Sequence, residues 1–362
     1  MRSRLLATAV LAVPLVVTGC GEQSAGHPAV TPPPARSHAT LALQRLETGN
    51  PPVTLVVTVG LDGDSEAVLD AAGHSTVDAF QVAWSPVGAR LAAAESVRAQ
   101  TGSELATTST DIWIADADGS NARRLTSDGD ASDPAWTPDG SEILFTRTTY
   151  ARRASGPTVV TGAIWDAPLG GETVRRLTIP PTGSRDTTGA VAPDGSVAFT
   201  RCGAATVARG GLVDNACAVF TIRADGTELT RLADRASDPS WSPDGSSIVF
   251  ASDRDETAKR QAGEDEVAWA RELCRMRADG SDQTRLTHTS EISETDPHVS
   301  PGGAVMAYTS TALLSYASSV VIANVDGSCA RTIAPLSASS GSWYRALAWR
   351  PGSAPDDHRL SC

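Results

Sequence analysis

Short apolar runs separated by polar turns fill most of this chain, and their order repeats with a long period. Six times a β-favourable run ends in a proline-containing turn and is followed by a second apolar run. The turn prolines are Pro86, Pro138, Pro193, Pro243, Pro301 and Pro351, at intervals of 50 to 58 residues. This period is typical of a repeat architecture in which each unit buries its apolar face against its neighbours.

A second turn, usually Asp-Gly, follows each of the first five proline turns. These second turns lie at 116–121, 168–173, 224–228, 278–282 and 325–329. In three consecutive repeats the interval from turn proline to turn glycine is 33 residues: 86 to 119, 138 to 171 and 193 to 226. Tight hairpins need residues that tolerate positive φ, so two such turns per repeat predict two hairpins and hence a four-stranded unit.

The sixth copy, near Trp349, has no second hairpin of its own, because only RPGSAPDDHRLSC follows it, enough for one further strand. The segment TLVVTVGLDGDSEAVLD at 54–70 has the pattern of the missing outer pair. We therefore predict that strands from about 53 to 70 complete the unit that begins near Arg345. This arrangement closes a ring of six units and leaves no exposed sheet edge.

The repeated residues resemble the TolB-type propeller repeat. The resemblance is carried by ARRLTSDGDASDPAWTPDGSEILFT and LTRLADRASDPSWSPDGSSIVFASDRD, and weaker copies extend it over roughly 53–362. Together with the strand count, it predicts an all-β fold: a six-bladed β-propeller with four-stranded blades, closed by N-terminal strands joining the C-terminal blade. It implies little about function, since such propellers occur in translocation systems, as accessory domains of serine peptidases and in lipoproteins.

The N-terminal residues 1–19 predict a signal peptide, because two arginines precede an apolar run that is shorter than the roughly 20 residues of a spanning helix. The run ends in VTGC, which resembles the bacterial lipobox and predicts acylation, palmitate included, at Cys20. Residues 20–50 are rich in Pro, Ser, Ala and Gly, which predicts a flexible tether. We expect a lipoprotein on the extracytoplasmic side of a cell membrane, with the propeller at 51–362.

The charge balance limits the classes of partner that we expect, and the cysteine content bears on the compartment. Without the two signal arginines, 28 of the 30 basic side chains remain against 42 acidic ones, and Lys259 is the single lysine. This balance argues against nucleic acid and against charge-driven binding to anionic lipid. In an oxidising compartment Cys202 and Cys217, which flank one predicted hairpin, are expected to form a disulfide. The pairing among Cys274, Cys329 and Cys362 stays open.

Long and variable loops fall on one face of the predicted ring, whereas the turns of the other face are short. These loops lie at 96–110, 149–162, 202–217 and 253–272. Loops that extend from one face of a rigid frame are common binding sites, although neutral drift produces the same pattern. The insertion at 253–272 has a helix-favouring composition, which leaves open a partner-contacting helix or a flap docked through Trp269.

Three Asp-Pro pairs supply candidate site residues. Asp133, Asp238 and Asp296 precede the predicted inner strands at one common offset, so their carboxylates are expected at the rim of a central channel, with His298 nearby. With Trp269 they form a candidate binding face for a cation or a basic ligand group. A capping role of each aspartate at a turn explains the same pattern.

The sequence contains no catalytic fingerprint of the nucleophile-elbow, His-Glu-x-x-His, P-loop or dinucleotide type, and no cofactor motif. The first hypothesis is a binding or scaffold module, expected to be a monomer, that contacts a protein, a peptide or an envelope glycan. The alternative is a metal-dependent lyase or hydrolase that works at the channel mouth. Its candidate residues are Asp133, Asp238, Asp296 and His298.

Overall fold

The computed structural model describes residues 40–47, 53–60, 66–68, 77–101, 104–127, 129–151, 159–171, 173–203, 206–208, 211–213, 216–254, 258–260, 267–289, 291–313, 318–335, 343–352 and 359–362. Every regular element in these ranges is a β-strand. None of the described segments forms a helix that is long and apolar enough to cross a membrane.

The strands follow one another along the chain in this order. The first half contains β1 (Thr40–Glu47), β2 (Val53–Gly60), β3 (Glu66–Val68), β4 (Val77–Trp84), β5 (Arg90–Thr101), β6 (Glu104–Asp116), β7 (Arg123–Arg124), β8 (Ala131–Trp136), β9 (Glu142–Ala151), β10 (Val159–Pro168), β11 (Arg175–Arg176), β12 (Arg185–Val191), β13 (Val197–Cys202) and β14 (Thr206–Ala208). The second half contains β15 (Gly211–Val213), β16 (Cys217–Ile222), β17 (Thr230–Asp234), β18 (Ala236–Trp241), β19 (Ser247–Ser252), β20 (Ala258–Arg260), β21 (Val267–Trp269), β22 (Glu272–Arg277), β23 (Thr284–Arg285), β24 (Ile292–Val299), β25 (Val305–Ala312), β26 (Ser318–Asn324), β27 (Arg331–Pro335) and β28 (Trp343–Trp349).

The strands form antiparallel sheets of four, as the turn pattern predicts. Sheet A has the order β28-β1-β2-β3, sheet B β4-β5-β6-β7, sheet D β18-β19-β22-β23 and sheet E β24-β25-β26-β27. Sheet C has eight strands in two halves, C1 (β8, β9, β10, β11) and C2 (β12, β13, β16, β17), joined by one parallel pair between Gly162 and Arg185. Two small hairpins, β14-β15 and β20-β21, stand apart.

Sheet A combines the last strand along the chain with the first three and corrects one boundary of the sequence analysis. Strands β2 and β3 occupy the segment predicted for the outer pair, at about 53–70. The second strand, however, is β1, within residues assigned to the tether, and it pairs Leu41 with Trp349. The C-terminal tail does not supply that strand, since Leu360 donates its backbone N–H to Asn324 at the edge of sheet E. Strand β1 was not predicted from the sequence, because no Asp-Gly turn follows it.

For the insertion at 253–272 the sequence left open a helix or a docked flap, and its described residues form the hairpin β20-β21. The insertion starts and ends on neighbouring strands, β19 and β22. Adjacent strands lie only about 4.8 Å apart, so a chain that leaves one and returns to the next must fold back on itself. This constraint outweighs the helix-favouring composition of the segment.

Buried apolar side chains lie mainly between neighbouring sheets. Phe145 and Ile143 of C1, for example, are fully buried against Ile112 of sheet B. Equivalent clusters of described residues join sheets A and B, B and C1, C1 and C2, C2 and D, D and E, and E and A. Burying one large apolar side chain contributes roughly 1.5–3 kcal/mol, so the contacts between sheets are a main source of stability.

The Arg-Leu-Thr segments of the repeat have a specific structural role at the outer strand. The hydroxyl of Thr126 accepts the backbone N–H of Ile112 on the third strand, at 2.9 Å. Thr178 and Thr287 do the same for Ile164 and Leu273, also at 2.9 Å. Each threonine therefore anchors the short fourth strand where the backbone ladder ends.

The described cysteines form two disulfides, Cys202–Cys217 and Cys329–Cys362. The first closes a loop between β13 and β16, where the two cysteines are cross-strand partners. The second fastens the C-terminal tail to the outer turn of sheet E. Cys274 is buried in sheet D and belongs to neither bond.

Candidate functional site

The two ends of the sheets differ, and we name them by their connections. The turn face carries the proline turns and the Asp-Gly turns, which lie side by side: the N–H of Ala117 donates to Ala89 O, and that of Leu169 to Ser141 O, each at 2.9 Å. The loop face is the opposite end, where the hairpins β5-β6, β9-β10, β14-β15 and β20-β21 extend.

A cavity of about 480 Å³ opens where the first strands of all the sheets meet at the turn face. We call it the indole cup. Its wall includes Trp84, Trp136, Trp241 and Trp349 and all six turn prolines, Pro86, Pro138, Pro193, Pro243, Pro301 and Pro351. Each tryptophan precedes its turn proline by two residues, and Val191 and Val299 stand at that position in the other two repeats.

The tryptophans present mainly carbon to the indole cup, because their N–H groups lie in its wall. Trp136 Nε1 donates to Ala83 O at 3.0 Å, and Trp349 Nε1 donates to His298 O at 2.9 Å. The Nε1 atoms of Trp84 and Trp241 are also buried. The residues that line the cup are thus mainly apolar in type, and the described indole N–H groups point away from its opening.

His298 lies in the lining of the indole cup, which corrects its expected place at the opposite rim. The first strands run from the loop face to the turn face, and His298 is only three residues before Pro301. Burial lowers the pKa of this imidazole to about 4, so it is neutral near pH 7. A neutral ring keeps the wall of the cup uncharged at this point.

The Asp-Pro pairs form a bulge in the first strands, between the loop face and the indole cup. Asp133, Asp238 and Asp296 have φ of 52°, 53° and 50°, and the pairing register shifts at each of them. Aspartate tolerates positive φ better than most residues, which explains its recurrence here. The backbone N–H of Asp133 donates to Gln81 Oε1 at 3.0 Å, and that of Asp238 to Thr200 Oγ1 at 2.9 Å.

These bulges do not bring the predicted site residues into one cluster. Within the described part of the chain, no three His, Cys, Asp or Glu side chains lie close enough together to hold a metal ion. The described residues thus offer the metal-dependent alternative no set of three ligands. Trp269 ends β21, but its side chain lies outside the described residues, as does Cys20.

The comparisons with known proteins bear on the fold. No family model and no curated protein sequence matches the chain. Among solved structures, TolB from Acinetobacter baumannii matches with a TM-score of 0.58 and 18% identity, over 88% of this chain and 68% of that one. A putative TolB from Agrobacterium tumefaciens matches with a TM-score of 0.54 and 18% identity, over 86% and 99%. The fold is a TolB-like β-propeller.

A third match extends this likeness beyond TolB. A chain in a crystal structure of a nidogen–laminin complex has a TM-score of 0.55 and 13% identity, over 86% of this chain and 98% of that one. Identities this low are informative about fold alone. In propellers the first strands of the blades surround a central channel, and the indole cup lies where the first strands of the sheets meet at the turn face.

The loop face of the propeller contains buried carboxyl groups. Glu272 and Glu294 are each 3% exposed, and Thr287 Oγ1 lies 2.7 Å from Glu272 Oε2 and 3.1 Å from Glu294 Oε2. A hydroxyl has a single proton to donate, so Thr287 cannot donate fully to both carboxyls at once. Arg285 forms an ion pair with Glu272.

The pKa of Glu294 is raised in this environment. Burial, and then the nearby Glu272 carboxylate, raise the pKa of Glu294 to about 7. Glu95, 3% exposed in sheet B, has its pKa raised to about 7 by burial alone. The loop face therefore holds acid groups that titrate near neutral pH.

Sequence reasoning missed the indole cup and these buried acids for different reasons. The tryptophan two residues before a turn proline recurs in four repeats and was a visible signal for the cup. Glu272 and Glu294 follow no motif, because they belong to different sheets and meet only after the sheets pack.

Proposed function

We propose that this protein is a lipid-anchored, extracytoplasmic propeller of six blades that binds a protein, a peptide or an envelope glycan through its loop face. Sheets A, B, C1, C2, D and E are the blades in this proposal. The ring closes at sheet A, where the C-terminal strand β28 joins the N-terminal strands β1, β2 and β3.

Contacts of sheet A on both sides support this closure. Trp349 Nε1 donates to His298 O of sheet E, and Arg350 Nε donates to Gly88 O of sheet B at 3.1 Å. Buried clusters also lie on both sides of sheet A, and all six turn prolines line one cavity. A cyclic order of blades without a free edge accounts for all three observations.

The contrast between the two faces carries the binding proposal. The turns of the turn face are short and alike, whereas the hairpins of the loop face differ in length from blade to blade. Two large side chains are well exposed on that face, Tyr150 at 56% and Ile179 at 80%. A rigid frame with variable extensions at one end is a common design for recognition.

Photo-crosslinking in intact cells tests the proposed binding face. We expect p-benzoylphenylalanine at Tyr150 or Ile179 to form adducts with a partner, identified by mass spectrometry. Leu229, 47% exposed, and Val87, 80% exposed, are matched control positions on the turn face. Adducts only from Leu229 and Val87 would place the partner on the turn face and contradict the proposal.

The lipid anchor is tested separately. We expect Cys20→Ser to abolish incorporation of a palmitate analogue and to release the protein from membranes, because no acyl chain then holds it. Unchanged labelling and membrane retention in Cys20→Ser would contradict the anchor without affecting the loop-face proposal.

A further inference from the structure

We infer that a groove between sheets D and E, at the turn face, binds the carboxylate group of a small organic acid. We call it the D–E groove. It has a volume of about 460 Å³, and its lining includes Arg275 of β22, Gly302 and Ala304 of the turn before β25, and Arg359 of the tail. This inference concerns the turn face and stands independently of the partner proposed for the loop face.

An equivalent groove between C1 and C2 has the opposite charge. This C1–C2 groove is lined by four carboxylates and one arginine: Asp139, Glu142, Asp166, Asp194 and Arg175. The D–E groove is lined by two arginines, Arg275 and Arg359, and one carboxylate, Asp244. The chain as a whole has a formal net charge of −12, so the D–E groove is basic in an acidic protein. Its charge therefore favours an anion as the ligand.

The turn of sheet E lacks a carboxylate that the turns of C1, C2 and D provide. In those three turns the aspartate after the proline accepts the backbone N–H of the residue two positions later. The pairs are Ser141 with Asp139, Ser196 with Asp194 and Ser246 with Asp244, at 3.0, 2.9 and 3.0 Å. Gly302 stands at the aspartate position in sheet E, and among the described residues the N–H of Ala304 has no acceptor. A ligand carboxylate can take the place of the missing side chain.

Arg275 occupies a position that is apolar in two other blades. It lies five residues before the second-turn glycine, where sheets B and E have the buried Ile114 and Ile322. Two residues earlier on the same strand, and so on the same side of the sheet, Leu273 is buried between sheets D and E. Arg275 itself is exposed and, within the described part of the chain, has no ion-pair partner. Its guanidinium is thus available to a ligand.

The tail fixes the second guanidinium of the D–E groove. Leu360 donates its backbone N–H to Asn324 Oδ1 at 2.7 Å, and its carbonyl accepts Asn324 Nδ2 at 3.1 Å. The second disulfide holds the same segment to sheet E. Arg359 forms an ion pair with Asp326. A guanidinium has five N–H donors, so this pair leaves donors for a ligand.

The two guanidinium groups and the backbone N–H together match a carboxylate. Arginine binds carboxylates through paired N–H···O bonds, which are stronger than bonds between neutral groups. The one lining carboxylate, Asp244, accepts the hydroxyl of Ser242 at 2.6 Å and the N–H of Ser246 at 3.0 Å, and these bonds lower its pKa to about 2. Asp244 is therefore engaged in its own turn. The volume of the groove is within the range of roughly 300–1,000 Å³ that holds small ligands.

Calorimetric titration of the full chain in detergent tests the inference. The probe is N-acetylglycine, which has one carboxylate, and the control is N-acetylglycinamide, which has nearly the same shape without the charge. We expect N-acetylglycine to bind with a dissociation constant of ~1 mM, and the amide not to bind. No saturable binding of N-acetylglycine, or equal binding of the amide, would overturn the inference. Tighter binding of inorganic phosphate than of N-acetylglycine would overturn the assignment to a carboxylate.

Gly302→Asp is the most direct variant, because it restores the aspartate that three other turns contain. The φ of Gly302 is not positive, so an aspartate fits this backbone. We expect the new carboxylate to accept the N–H of Ala304 and to abolish binding of N-acetylglycine, with a melting temperature at or above that of the wild type. Retained binding in Gly302→Asp would contradict the inference.

A matched pair of arginine variants separates a direct contact from a general effect of charge. Arg275→Ile introduces the side chain that sheets B and E have at this position. Arg277→Ile removes an exposed arginine of the same strand that pairs with Asp282 and does not line the groove. We expect about tenfold weaker binding for Arg275→Ile, because a charge-assisted bond is lost, and no change for Arg277→Ile. Equal affinity of the two variants would rule out a contact with Arg275.

Arg359→Gln tests the contribution of the tail. We expect about tenfold weaker binding of N-acetylglycine here too, because the second guanidinium is lost. Wild-type affinity in Arg359→Gln would remove the tail from the site and overturn that part of the inference.

Discussion

Acidic side chains at the turn face and at the loop face of this propeller have pKa values that are shifted in opposite directions. At the turn face Asp139 is exposed and accepts the hydroxyl of Thr137 at 2.7 Å and the backbone N–H of Ser141 at 3.0 Å, which lower its pKa to about 2. At the loop face Glu294 is buried, and its pKa is raised to about 7.

This difference reflects two kinds of residue in the repeat, those shared by every blade and those that differ from blade to blade. The turn aspartates stabilise local geometry that every blade needs, so one short motif suffices. The loop-face acids belong to contacts between particular blades, and their protonation depends on burial. We therefore expect the free energy of unfolding to depend on mutation and on pH more strongly at the loop face than at the turn face.

The largest expected effect comes from Asp186→Ala near the loop face. Asp186 is fully buried and forms two bonds with Arg201, at 2.5 and 2.7 Å, while that guanidinium packs over Phe220. Removing one partner of a buried pair costs about 3–5 kcal/mol. Urea denaturation measures the loss. The matched control is Asp194→Ala at the turn face, where a similar loss would remove the contrast between the faces.

A smaller effect is expected from Glu294→Gln, and it depends on pH. A carboxyl whose pKa rises from 4.5 to about 7 on folding contributes stability that is full below pH 4.5 and is lost as pH rises through about 7. The shift corresponds to at most about 3 kcal/mol. We expect the free energy of unfolding of Glu294→Gln to fall less between about pH 5 and about pH 8 than that of the wild type.

The control for this pH dependence is Asp139→Asn. A lowered pKa contributes stability above the ordinary value of 3.8 that is lost as pH falls toward about 2. Asp139→Asn should therefore leave the slope between about pH 5 and about pH 8 unchanged. If Glu294→Gln has the wild-type slope as well, Glu294 is ionised in the folded protein.

The smallest of the three effects is expected from Gly189→Ala, near the indole cup. A Cβ at this position would lie 2.6 Å from Ala198 O and 2.7 Å from Pro239 Cγ. Crowding of this kind costs about 1–3 kcal/mol. Gly170→Ala is the control, because a Cβ added at that position would meet no neighbouring atom within 4 Å. Equal melting temperatures for the two variants would show that the neighbouring backbone and Pro239 can move away from the added methyl group without a loss of stability.

Much of the fold was predictable from local signals. The prolines and Asp-Gly turns mark hairpins because their backbone preferences hold in any context, and the apolar runs between them mark strands. The candidate site was less predictable. His298 was expected at the loop face and lies in the indole cup. For Asp133, Asp238 and Asp296 the sequence left open a rim of carboxylates or a structural role, and the three residues lie in strand bulges.

The sequence by itself determined the repeat, its hairpins and the outer strands of sheet A, since each depends on residues close together in the chain. Tertiary structure alone decided that β1 lies beside β28, that four tryptophans line one cup and that Glu294 meets Glu272. These partners are joined by packing between blades, and a local pattern contains no information about which distant surface will cover it.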